Sequence, residues 1–217
     1  MDERSTGIIL RTRPLTETSV IVHWLTPDFG RIATIAKGAR RPKSPLRGKL
    51  DLFYEADFSF ARNRKSDLHN VREVVLRHMH EKLRENLGWI QQASYCAAFI
   101  EEATETETPL PEVHALFISL VKHLTERPPE PQTIFAFELK MLKLLGLQPS
   151  FSETHLQSGT LEIARSLLNA DWNLIGRLIL SDTQEKQLRQ FLHGYLIYHL
   201  GKLPRGRTAT LGYIAEA

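Results

Sequence analysis

The chain has 217 residues, of which 42% are hydrophobic and 24% charged, ordinary values that exclude the disordered and fibrous classes. No stretch approaches the roughly 18 apolar residues of a membrane span, and the opening Met-Asp-Glu-Arg-Ser-Thr-Gly has no signal-like apolar run, so a cytoplasmic location is expected. The net charge of +3 is unevenly placed: residues 1–80 hold 15 Lys/Arg against 9 Asp/Glu, residues 81–217 hold 13 against 16, so only the first part is expected to face a polyanion.

Through the first eighty residues hydrophobicity alternates with period two, which predicts strands near 5–13, 18–26, 30–38, 50–62 and 68–77. In the first, Ile8 and Leu10 are expected on one face and Arg11 and Arg13 on the other. The stretch Thr26-Pro27-Asp28-Phe29-Gly30 has Pro and Gly where a tight hairpin needs them, pairing the second and third strands antiparallel. In the fourth, Leu52, Tyr54, Ala56, Phe58 and Phe60 form a core face, with Asp51, Glu55, Asp57 and Ser59 on a wet one. Five short strands in about eighty residues fit an OB barrel, a fold often used for oligonucleotides. An SH3-like barrel reads almost the same.

Beyond residue 80 the period changes to 3.6. Val113, Leu116, Phe117, Leu120, Val121 and Leu124 form one apolar stripe, and similar stripes predict helices over 82–105, 131–146 and 183–201. Ser181 and Gln184 form a capping box for the last, Gly146 followed by Pro149 stops the one before, and shorter helices are expected near 160–169 and 173–180. The chain therefore divides into a barrel over 1–80 and an all-α domain over 81–217, with no flexible linker between them.

The densest chemical signal is Arg31 to Lys49, with seven cations and no carboxylate. Gly38, Pro42, Pro45 and Gly48 keep it out of helix and sheet, so Lys37, Arg40, Arg41, Lys43, Arg47 and Lys49 gather on a loop between the third and fourth strands. Such a field suits phosphate backbones, since each cation that meets a phosphate releases counterions. Arg11 and Arg13 are expected to share that side of the barrel. A nucleotide-binding P-loop is excluded, because Lys43 stands where the pattern needs Gly and Leu50 where it needs Ser or Thr. Trp24, Tyr54, Phe58 and Phe60 fall on core faces. Phe29 in its turn and Phe53 on the polar face are the candidates for base stacking.

No catalytic or metal constellation emerges. Glu101 and Glu102 are adjacent, about 100° apart on a helix, and make no acid/base pair. His78 and His80 lack matching ligands, and the lone Cys96, in an apolar stretch, reads as a buried thiol. No cofactor is expected.

The ordered series Thr16-Glu-Thr-Ser19, Leu25-Thr-Pro-Asp-Phe-Gly-Arg31, Ala36-Lys-Gly-Ala-Arg-Arg-Pro-Lys-Ser44 and Gly48-Lys-Leu-Asp-Leu-Phe53 resembles the N-terminal half of the RecO recombination mediators. Phe137-Glu-Leu139 through Leu145-Gly-Leu147 and a final amphipathic helix resemble their helical half more loosely. The resemblance implies an OB barrel followed by an all-α domain, without enzymatic activity. It implies binding and annealing of single-stranded DNA close to the nucleoid, with RecR and single-stranded-DNA-binding protein as partners in loading RecA. A general OB-type RNA- or DNA-binding module is the alternative.

Two departures stand out. Many relatives carry four zinc-binding cysteines after the Leu-Gly-Leu helix end, where this chain reads Gln148 to Gly159 without one, so no zinc is expected. Phe135 and Ala136 stand where some relatives have basic residues before Phe-Glu-Leu, and Lys140 and Lys143 become the expected rim cations for the acidic tail of single-stranded-DNA-binding protein.

Overall fold

A computed structural model describes residues 2–216. Five strands, β1 (Asp2–Pro14), β2 (Val20–Thr26), β3 (Gly30–Ala36), β4 (Glu55–Ala61) and β5 (Leu68–His78), close into a barrel in the order β1-β2-β3-β5-β4. All ladders are antiparallel except β3 with β5. That strand order is an OB-fold barrel, which removes the SH3-like alternative.

The β2–β3 hairpin turns at Gly30, whose φ of 63 a side chain resists. Thr26 clamps the turn, donating through Oγ1 to the Gly30 carbonyl at 2.9 Å and accepting from the Phe29 N–H at 3.1 Å. The barrel interior holds Ile9, Val22, Trp24, Ile32, Ala56, Phe58, Phe60 and Val74. Trp24 stacks on Phe58 with ring centroids 4.1 Å apart and donates its indole N–H to Thr34 Oγ1 at 2.9 Å, so its polar atom is satisfied where water cannot reach. Burial of each such large side chain stabilises by about 1.5–3 kcal/mol.

Two strand readings are corrected. The β1–β2 register shifts between Ile9 and Arg11, and this bulge lets Ile8, Ile9 and Leu10 all be buried, whereas strict alternation exposes Ile9. β4 begins at Glu55 rather than residue 50, because the chain kinks at Phe53 with φ 63. Ala56, Phe58 and Phe60 do face the interior, but Glu55 and Ser59 on the supposed wet face are also buried.

Among the described residues seven α-helices follow: α1 (Leu87–Ala103), α2 (Pro111–Leu124), α3 (Pro131–Leu144), α4 (Ser158–Asn169), α5 (Trp172–Ile175), α6 (Asp182–Leu200) and α7 (Arg207–Glu216). The capping box at Ser181 and Gln184 is present, and Gly146 takes the left-handed conformation beyond α3. α5 is shorter than the 173–180 expected, ending at Ile175 with Gly176 as its C-cap. α7 has no counterpart among the expected helices.

The chain forms two compact units. One contains the barrel through Glu81 together with Ile100–Ile118; the other contains Lys82–Phe99 and everything from Ser119 onward. The end of α1, the segment after it and the start of α2 thus belong with the barrel. In the second unit α3 packs on α4, α5 and α6.

Candidate nucleic-acid interface

Beyond Ala36 the chain runs through successive tight turns. The N–H groups of Ala39, Arg41, Ser44, Arg47 and Lys49 donate to the carbonyls of Ala36, Gly38, Arg41, Ser44 and Leu46. Ala39 and Leu46 turn inward and join the barrel core. The loop is therefore an irregular but hydrogen-bonded cap with two apolar pegs, and a surface already ordered loses less entropy when it binds. Lys37, Arg40, Arg41, Lys43 and Arg47 are exposed on it. Lys49 is half-buried and donates to the Val74 carbonyl of β5 at 3.0 Å, tying the far end of the loop to the sheet. The near end is tied to the β1–β2 turn, where the Arg40 N–H donates to the Thr18 carbonyl at 2.9 Å.

The parallel β3–β5 ladder ends at Ile35 opposite Asn70. There β3 leaves into the loop while β5 continues along β4, and the parting opens a groove of about 340 Å³ lined by Lys37, Ser44, Leu46, Asn70 and Arg72. Arg72 is exposed, with its nearest acid Asp2 3.9 Å away. Sequence reasoning missed Arg72, because no local signal announces which strand lies beside the loop.

Arg13 is exposed near the end of β1, one residue before Pro14, which pairs with Val20 and through it with Ala36, at the barrel end where the loop begins. Arg11 differs: its Nε is 3.3 Å from Glu101 Oε1. His23, beside Arg11 in the ladder, lies 3.8 Å from the same carboxylate. Burial, then the charges of Arg11, Arg13 and Arg31, push the His23 imidazole down to about 4, so at neutral pH it is uncharged and this approach is no ion pair. Arg31 donates through Nε to Thr104 Oγ1 at 2.8 Å and through Nη2 to the Thr104 carbonyl.

Neither stacking candidate stands as an open platform. Phe53 is 2% exposed and packs against Phe117, ring centroids 6.1 Å apart; the kink at Phe53 overrides the alternation that placed it outward. Phe29 is half-buried, meets the edge of Phe60 at 5.5 Å and has the Arg62 guanidinium 5.8 Å from its ring centre.

In the helical unit, Lys140 is half-buried and donates to the carbonyls of Leu168 at 3.1 Å and Ala170 at 2.7 Å, filling two acceptors at the end of α4 that the helix leaves open. Lys143 is exposed, 3.3 Å from Asn169 Oδ1. The residue that alternation could not assign is Glu138, fully buried in the Phe-Glu-Leu run. It accepts from the Tyr95 hydroxyl at 2.5 Å and from Arg207 Nε and Nη2 at 2.7 and 3.0 Å. Burial and then the Glu138 charge hold the Tyr95 hydroxyl well above its usual range. Burial pulls the Arg207 guanidinium down, but the Glu138 carboxylate outweighs it and keeps the group above its ordinary value. Cys96 is buried, and burial followed by Glu138 raises its thiol, which leaves it protonated and unreactive.

The donor set does not fit a zinc ion. Residues 148–159 contain no cysteine and one histidine, His155, and no cluster of three His, Cys, Asp or Glu suited to a metal occurs among the described residues. Part of that segment instead lines a cavity of about 630 Å³ with Gln187, Phe191 and Tyr195 of α6.

The strand order, the turn-built basic cap and the appended helices define an OB-fold protein with an all-α second part. Residues 1–80 match the family described as Recombination protein O N terminal, and residues 84–156 match Recombination protein O C terminal. Similar proteins, each called DNA repair protein RecO, include one from Rhodopirellula baltica, 30% identical over 78% of this chain and 62% of its own length. Others are from Bacillus subtilis, 30% identical over 67% of this chain and 56% of its own length, and from Anaeromyxobacter sp. strain K, 31% identical over 66% and 57%. The matched region thus spans about three-fifths of the length of these relatives. The chain belongs to the RecO family.

Proposed function

We propose that this chain acts in DNA repair as a non-enzymatic recombination mediator that binds single-stranded DNA and anneals complementary strands. The observation that carries the reading is the 37–49 cap, whose exposed cations sit without a carboxylate among them on a backbone held by its own turns and two apolar pegs. The relatives' name, DNA repair protein RecO, supports the repair role. The finer expectations follow from membership: RecR as a partner, the acidic tail of single-stranded-DNA-binding protein as a contact, RecA loading as the outcome, and work at the nucleoid. For the tail, Lys143 is the more available rim cation, since Lys140 is engaged by the end of α4.

If about four cations meet phosphates at once, the logarithmic salt slope for single-stranded DNA is about −3, each contact adding roughly −0.7. Replacing Arg40, Arg41 and Lys43 with Ala flattens that slope by about two units and weakens binding equally for every sequence, because phosphates carry no base information. The same variant loses annealing of complementary strands coated with single-stranded-DNA-binding protein. Unchanged affinity and slope in the triple variant removes the cap from the interface. A wild-type chain that fails to anneal coated strands removes the mediator reading.

A further inference from the structure

The barrel unit presents cations on two surfaces, and they differ in what already occupies them. On the first, formed by β1, β2 and β3, Arg11 and Arg31 are met by the chain's own acidic run, Glu101-Glu-Ala-Thr-Glu-Thr-Glu-Thr108. Glu101 engages Arg11, and Thr104 takes the Arg31 guanidinium. The Glu107 N–H donates to the Arg31 carbonyl at 2.9 Å, and Arg31 forms a parallel bridge with Thr106. The Glu107 carboxylate lies 2.9 Å from His69 Nε2 and also binds Arg62. The run is seated so closely that a side chain on Gly30 would meet the Thr108 carbonyl at 1.8 Å. A cleft of about 140 Å³ lies beside it.

The second surface is the groove between the 37–49 cap and β5. It combines the exposed Lys37 and Arg72 with the polar side chains of Ser44 and Asn70 and an apolar floor at Leu46. Its volume of about 340 Å³ falls at the lower end of ligand-sized clefts, roughly 300–1,000 Å³.

We propose that single-stranded DNA runs through this groove, with Arg72 as a phosphate contact beside Lys37, and that the acidic run 101–107 bars it from the β1–β3 face. The proposal rests on the reading of the chain as a single-strand binder and adds its path. A cation that already faces a carboxylate has little counterion to release, so Arg11 adds little to phosphate affinity. Glu101, Glu105 and Glu107 also repel a phosphate chain approaching that face. Arg72 has only a loose partner, Asp2 at 3.9 Å with both side chains more than half exposed, a pairing that water screens, and it stands where the strand reaches it from the cap. Ser44 and Asn70 add uncharged hydrogen-bonding groups to the same groove.

The experiment is a salt titration of oligothymidylate binding, read by fluorescence anisotropy, on the full chain, the cap triple variant, Arg72→Ala, Arg11→Ala, Glu101→Gln and the Glu101→Gln/Arg11→Ala double variant. Arg72→Ala flattens the salt slope by about 0.7 and weakens binding, while Arg11→Ala leaves slope and affinity as in the wild type. In a Glu101→Gln background, Arg11→Ala becomes costly, because the freed guanidinium then meets phosphate. Arg72 is exposed, so its replacement leaves the fold intact, and melting curves on each variant verify this. Equal losses from Arg11→Ala and Arg72→Ala overturn the path, as does an Arg72→Ala variant that binds like the wild type. Absence of coupling between Glu101 and Arg11 overturns the barrier. If the wild type shows no salt-dependent binding at all, the failure lies in the proposed function; if it binds and the cap variant weakens it while Arg72→Ala does not, the failure lies in the path alone.

Discussion

The 37–49 cap and the Glu138–Arg207 pair use the same kinds of residue to opposite ends. On the cap, Lys37, Arg40, Arg41, Lys43 and Arg47 point to water with no carboxylate among them. In the helical unit, Arg207 is 3% exposed and turned on a carboxylate that is fully buried, with Tyr95 completing the set. The first arrangement leaves a field for a ligand. The second uses the charge internally, joining α1, α3 and α7 through a network in which each removed partner strands another. An arginine in a sequence therefore says little about binding until its burial is known.

The contrast is tested first where the effect is largest. Arg207→Ala leaves the Glu138 carboxylate buried without its cation and is expected to cost about 3–5 kcal/mol in urea denaturation. A loss below about 1 kcal/mol means that water reaches the pair and the contrast collapses.

Next comes a charge that the barrel unit excludes. The unfolded chain protonates His23 near 6.5, whereas the folded chain holds it down to about 4. The unfolded state thus binds the extra proton first, so stability is full above about pH 6.5 and falls as pH drops through that window. At about 1.36 kcal/mol per pKa unit the ceiling is about 3 kcal/mol, and solvent screening of a partly open side chain reduces it to about 1–2 kcal/mol. His23→Gln removes this part of the slope in thermal melts between pH 7 and 4; an unchanged slope assigns the acid sensitivity to other groups.

A smaller effect is expected for the cap itself. The Arg40, Arg41 and Lys43 triple Ala variant changes folding stability by no more than about 0.5 kcal/mol, although its DNA binding collapses. A larger loss shows that these cations hold the cap together, which Ala39 and Leu46 do in the present reading. The smallest effect is expected from chelators, which leave the melting temperature unchanged because residues 148–159 supply no cysteine; a chelator-induced shift places a metal where the donor set argues against one.

Much of this was legible beforehand. Period-two alternation located all five strands, and the 3.6 period located α1 to α4 and α6, because both periodicities record one face turned to a core. The cap was legible from Gly38, Pro42, Pro45 and Gly48 and from its unopposed charges. The readings that failed share a cause. Phe53 was assigned outward by counting along an uninterrupted strand, but the chain kinks there with φ 63 and drives the ring against Phe117. α7 escaped notice because Arg207-Thr-Ala-Thr-Leu-Gly212 has little apolar pattern; its first residue is anchored instead by a carboxylate 69 positions earlier.

What the sequence by itself determined is what neighbours along the chain can enforce: strand and helix periods, the hairpin at Gly30, the capping box at Ser181, and a basic segment that cannot be helix or sheet. Tertiary structure alone decided which of the cations remain available. Arg11 and Arg31 face the acidic run that returns some 70 to 90 positions later, whereas Arg72 comes to border the cap because β3 and β5 pair in parallel and then part at Ile35 and Asn70. Charge acts through space and is attenuated by whatever lies between, so its use depends on distances that no local pattern encodes.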